Sequence, residues 1–127
     1  KITKNKNKNS KVLKIKGRSL VLENFYDKVV KFEFDELCNQ NLGSEDYIKI
    51  AENCEFIFIK NLPNFDENNS NQQQRFITLI DIIYEKKIPL MITAQVDLNL
   101  IKSSKSLAEP FKRTISRLYE LTSINYN

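Results

Sequence analysis

Two hydrophobic periods alternate along this chain, and the points where one gives way to the other divide it into elements. In Lys11–Leu22 (KVLKIKGRSLVL), Val12, Leu13 and Ile15 and then Leu20, Val21 and Leu22 flank Lys16-Gly17-Arg18-Ser19, which predicts a β-hairpin with Gly17 at its turn. Val30, Phe32 and Phe34 recur at period two, so Val29–Phe34 reads as a third strand. Asp35 is the expected N-cap of a short helix through Cys38, which Asn41-Leu42-Gly43 breaks, with Gly43 expected at positive φ. Ser44 is the expected N-cap of a second helix, with Tyr47 at N3 and packed on the sheet, and with Ile48 and Ala51 on the apolar side. Glu55–Lys60 (EFIFIK) is a strand whose near-continuous apolar run predicts burial on both faces.

Asn64–Gln73 is mostly polar. From about Gln74, Phe76, Ile77, Leu79, Ile80, Ile83 and Tyr84 follow the helical i, i+3, i+4, i+7 rule up to Glu85-Lys86-Lys87. Pro89–Ala94 is a further apolar strand, so Glu55–Ala94 reads as a parallel, right-handed βαβ unit. Gln95–Ser106 is a polar connection with one turn near Leu98–Ile101. The last helix runs from about Ala108 to Thr122, with Pro110 in its first turn and an apolar stripe of Phe111, Ile115, Leu118 and Leu121. Arg113, Arg117 and Glu120 lie on its opposite face. The fold class is α/β: an N-terminal hairpin, short helices, a βαβ unit and a C-terminal amphipathic helix, with residues 11–127 as one unit and no internal repeat.

Composition narrows the class. The chain has 127 residues, 41% hydrophobic and 28% charged, enough for a single core. No apolar run reaches the roughly 20 residues of a membrane-spanning helix. Two glycines and two cysteines exclude collagen and disulfide scaffolds. The net charge of +4 is unevenly placed: residues 1–18 carry eight basic side chains and no acid, so the remainder is mildly acidic. A folded nucleic-acid reader carries its basic charge on the folded face, so DNA or RNA binding is disfavoured. Lys1–Ser10 (KITKNKNKNS) holds one apolar residue and is expected to be disordered, a solvated Lys/Asn-rich stretch rather than a basic arm.

The chemistry available is limited. There is no histidine, which removes His-based triads and most zinc sites. Cys38 and Cys54 are too far apart, with no neighbouring ligands, for a zinc site and read as reduced, buried thiols. No GxxxxGK[ST] loop occurs, and no apolar strand ends in an acidic pair able to hold magnesium. What remains is arginine: four, against sixteen lysines. Arg75 opens the long helix, and Arg113 and Arg117 are spaced i, i+4, so both could meet one anion with planar, bidentate donors. The plainer alternative is pairing with Glu109 or Glu120, or covering apolar surface. Asp81 has no suitable partner within its own helix, so a tertiary contact is expected.

Four segments stand in a known order: FxFDELCxxxLGxxDY (Phe32–Tyr47), RFITLIDxxY (Arg75–Tyr84), an apolar strand ending in Thr93-Ala94, and FxRTxSRLxEL (Phe111–Leu121). Together they resemble the C-terminal part of the AAA+-type P-loop ATPases that include bacterial ZapE and its mitochondrial counterparts. The resemblance spans about Val12 to Tyr126. It departs from the family at Gln74, where an arginine is common, and at Leu121-Thr122, where the family commonly has Met-Gln.

The resemblance implies a chain that, when whole, binds ATP with Mg and hydrolyses it, its Walker A and B segments lying upstream; the 127 residues by themselves bind neither and are inactive. It implies a role in mitochondrial protein quality control or remodelling, a protein substrate or partner, and a possible homo-oligomer. It makes Arg113 and Arg117 candidates for an arginine finger or sensor, with Arg75 the weaker one. The competing expectation is a non-catalytic α/β module that docks a protein. A piece cut from a larger α/β sheet is also expected to leave an unpaired strand edge and exposed apolar surface.

Overall fold

The computed structural model describes residues 9–15, 18–26 and 29–123, with side chains placed for residues 30–122. Strands β1 (Asn9–Ile15), β2 (Arg18–Tyr26), β3 (Val29–Glu33), β4 (Phe56–Leu62) and β5 (Leu90–Ala94) form one sheet in the order β1-β2-β3-β4-β5. β1 pairs β2, and β2 pairs β3, in antiparallel fashion; β3, β4 and β5 are parallel. Each predicted strand therefore forms, except that Phe34, expected to end the third, opens the first helix instead, and β1 takes up Asn9 and Ser10 from the Lys/Asn-rich stretch. Gly17 and the disorder expected of Lys1–Lys8 lie outside the described residues.

Among the described residues, four α-helices accompany the sheet: α1 (Phe34–Cys38), α2 (Ser44–Glu52), α3 (Ser70–Glu85) and α4 (Ala108–Ser123). α3 packs against α1, α2 and α4. This layer covers one face of the parallel strands, where Val30, Ile57, Ile59 and Leu90 are fully buried. Four rings knit the helices together: Phe34–Phe65, Phe34–Phe76 and Phe65–Phe111 have centroids 5.6, 5.8 and 5.6 Å apart. Burying each such ring contributes about 1.5–3 kcal/mol. The expected core residues Phe32, Phe34, Leu37 and Tyr47 are all buried, and so are Cys38 and Cys54, which form no disulfide among the described residues.

Helix starts differ from expectation because caps depend on backbone geometry more than on residue type. Glu33, not Asp35, is the N-cap of α1, and its N–H donates to Glu36 Oε1 (2.7 Å). Gly43, not Ser44, is the N-cap of α2, which puts Asp46 rather than Tyr47 at N3; Asp46 Oδ2 accepts the Gly43 N–H at 2.7 Å. Gly43 has φ −134°, so the positive φ expected there is not adopted, and a Cβ would meet nothing within 4 Å.

α3 begins at Ser70, four residues before the expected Gln74, after a 3-10 turn at Glu67–Asn69 in which Asp66 Oδ1 accepts the Asn68 N–H. It ends in a Schellman-type turn: Lys87 takes φ 56°, and Ile88 N–H reaches the Ile83 carbonyl. β4 also departs from expectation. Its side chains alternate, with Ile57, Ile59 and Leu62 buried and Phe56, Phe58 and Lys60 half-buried, so only the helix-facing side is sealed.

Candidate functional site

The α3–α4 seam carries the arginine chemistry. α4 packs on β5 and alongside α3, and Asp81 and Tyr84 of α3 meet Arg117 and Glu120 of α4. Arg117 Nη1 donates to Asp81 Oδ1 in an ion pair, with the two side chains 22% and 37% exposed. Its guanidinium also lies over the Tyr84 ring, 4.7 Å from the centroid. The Tyr84 hydroxyl donates to Glu120 Oε1 at 3.0 Å. That hydrogen bond to a carboxylate favours the neutral phenol and raises its pKa. The tertiary partner expected for Asp81 is thus Arg117. An anion approaching Arg117 would have to share the guanidinium with Asp81.

Arg113 sits one turn earlier on α4 and is exposed, with no side-chain hydrogen bond or ion pair to any described residue. The neighbouring acid, Glu109, pairs instead with Lys112 at 3.1 Å. The i, i+4 spacing does not bring the two arginines to one point: Arg117 is turned into the seam and Arg113 outward. Of the three arginines whose side chains are described, Arg113 is the one without a described side-chain partner.

Arg75 lies toward the other end of α3, half-buried, where Nη1 donates to the Cys38 carbonyl at 3.1 Å. It thereby satisfies an orphan carbonyl at the C-terminus of α1 and favours the negative end of that helix. Tyr47 closes the same corner: its hydroxyl donates to the Leu37 carbonyl at 2.7 Å. Burial pushes both the Cys38 thiol and the Tyr47 phenol well above their ordinary ranges, so both stay neutral.

A second polar group, which sequence reasoning did not single out, gathers at the carboxyl ends of the parallel strands. Asn61 takes φ 65° at an irregularity in the β4–β5 register, and its N–H donates to Thr93 Oγ1 (3.0 Å). Its side-chain amide donates to Glu33, whose other oxygen is 3.9 Å from Lys60 Nζ. These groups satisfy one another. The sequence signal was the Lys60-Asn61 break after an apolar strand, but their convergence with Glu33 depends on the sheet order. Among the described residues, no group of three His, Cys, Asp or Glu could hold a metal ion. No described helix is long and apolar enough to cross a membrane.

Comparison with known proteins agrees with the motif order. The sequence matches the family described as AFG1-like ATPase over residues 1–127. It is 29% identical over 121 residues to the cell division protein ZapE of Escherichia coli, covering 95% of this chain and 32% of that protein. It is 34% identical over 89 residues to lactation elevated protein 1 homolog B of Danio rerio, covering 70% of this chain and 18% of that protein. The chain thus spans about a third or less of the length of these relatives. No solved structure matches it.

Proposed function

The chain belongs to the AFG1-like ATPase family, and on that premise we propose that it is the nucleotide-sensing portion of an ATP-hydrolysing AAA+-type protein, with Arg113 as the residue that meets the nucleotide. The observation that carries this reading is the state of the three arginines. Arg117 is held by Asp81 and Tyr84, and Arg75 by the end of α1, while Arg113 is exposed and unpaired among the described residues. A guanidinium kept free of internal partners on a rigid helix is suited to a phosphate, which it can grip with two parallel N–H donors.

Apart from a phosphate contact by Arg113, we assign the binding of ATP and Mg²⁺ elsewhere, because the sequence has no phosphate loop and the described residues offer no metal cluster. Both belong to parts of the protein outside these 127 residues. Arg113 then supplies positive charge to the phosphate oxygens at the moment of transfer, a contribution worth about 10³-fold or more in rate. Being on the surface, it can do so in its own subunit or across to a neighbouring one in a homo-oligomer. Arg117 and Arg75 act by placing α4 and α3. Mitochondrial protein quality control, with a protein as the substrate, is the role we assign on the resemblance to the mitochondrial branch of the family.

Substitution in the full-length protein tests the assignment. Arg113→Ala is expected to lower kcat for ATP by about 10³-fold with an unchanged circular dichroism spectrum. Arg117→Ala is expected to retain most turnover and to lose stability. If both variants hydrolyse ATP at the parental rate, the arginine assignment fails, and this portion is better described as a protein-docking module within the ATPase.

A further inference from the structure

The parallel strands β3, β4 and β5 present two unlike faces. On the helix side, Val30, Ile57 and Leu90 are in register and fully buried. On the other side, Lys31, Phe58 and Met91 form a row in register, with Phe56 two residues before Phe58 on the same strand. Phe56 and Phe58 are only half-buried and Met91 is 38% exposed. Lys31 Nζ lies 5.9 Å from the Phe58 ring centroid, and the Glu33–Lys60 pair closes the row at its carboxyl end. The described helices form one layer on the opposite side.

Parallel sheets are found with both faces covered, because the crossover arrangement leaves apolar residues on each. Two phenylalanines and a methionine side by side on a sheet add little if water is their neighbour, since apolar stabilisation scales with area removed from water. We propose that this face is the surface on which the nucleotide-binding portion of the same polypeptide packs, through an apolar helix face laid across Phe56, Phe58 and Met91 with an acceptor opposite Lys31. The inference rests on the functional reading above. The occupant follows from length: ZapE, matched over 95% of this chain, has some two thirds of its own length outside the match. That remainder is tethered to the sheet at high effective concentration.

Met91 is the single methionine of the 127 residues, so its thioether is a built-in probe. In the folded full-length protein, hydrogen peroxide should oxidise Met91 at least about tenfold more slowly than in the same protein in denaturant, read by peptide mass spectrometry, since oxidation follows exposure. The protection should not change with protein concentration. As a second measurement, Met91→Lys should lower the Tm of the full-length protein by about 4 °C or more, whereas Met91→Leu should leave it nearly unchanged.

Oxidation within about twofold of the unfolded rate overturns the proposal. So does protection that disappears on dilution, which would assign the face to a second copy, and so does a Met91→Lys variant as stable as the parent. Turnover of ATP is scored separately. A protected Met91 without hydrolysis would sink the functional reading and keep the docking surface; hydrolysis with an open Met91 would do the reverse.

Discussion

If Arg117 is a strut between α3 and α4 rather than a ligand-facing donor, its energy should appear as coupling to Asp81. The pair is neither fully exposed nor buried, with side chains 22% and 37% accessible. A fully exposed pair would contribute about 0.2–1 kcal/mol. Partial burial and a charge-assisted hydrogen bond place this one toward the upper end, about 1 kcal/mol. The Tyr84 ring beneath the guanidinium adds about 0.5–1 kcal/mol.

Arg117→Ala is therefore expected to cost about 1.5–2 kcal/mol, and Asp81→Ala about 1 kcal/mol. The double variant should recover a coupling energy of about 0.5–1 kcal/mol. Urea unfolding of the parent, the two single variants and the double variant, at low salt and again at high salt, measures it. The coupling should shrink in high salt, because the seam is only half-shielded from ions. A coupling energy indistinguishable from zero at low salt would refute the strut. Arg117 would then be as available to a phosphate as Arg113.

Further expectations follow from groups buried elsewhere. The fully buried Gln73 donates to Ser103 Oγ at 2.7 Å and accepts the Ser104 N–H at 3.1 Å. Gln73→Leu should cost about 1–3 kcal/mol by stranding that buried N–H, while Ser104→Ala, which removes a buried hydroxyl with no partner among the described residues, should be neutral or slightly stabilising; equal losses in urea unfolding would contradict this. Cys38 and Tyr47 are held neutral by burial and have folded pKa values above their unfolded ones. The unfolded groups ionise near about 8.5 and 10, so their contribution is fully present below about pH 8 and is lost as pH rises. Urea midpoints at pH 7 and pH 10 should show that loss, with a smaller pH dependence for Cys38→Ala; a midpoint that does not fall with pH would be the contrary result.

Much of the fold was legible in one dimension because its causes are local. Period two in Val29–Phe34 and the 3.6-residue period from Phe76 to Tyr84 are set by which side chains must face a core; β3, β5, α4 and the apolar stretch of α3 appear where those periods place them, although Phe34 opens α1 instead of ending β3 and α3 starts four residues early. Isolated glycines and absent histidine likewise bounded the chemistry with no reference to geometry. The need of Asp81 for a tertiary partner was also legible in the sequence, since its own helix offers no suitable one.

The tertiary arrangement decided the rest. The early start of α3 rests on Asp66 and Asn69 side chains and on a buried Gln73 whose partners lie 30 residues on, and an apolar-periodicity rule scores all of these as loop. Arg113 and Arg117 are equivalent on a helical wheel. Only the packing of α4 beside α3 turns Arg117 onto Asp81, 36 residues away, and leaves Arg113 in water. EFIFIK reads as buried on both sides, yet which of its faces is sealed depends on where the helices fall. Residue type fixes what a side chain can do; which neighbour it does it with is set by elements distant in sequence, and no local pattern encodes that.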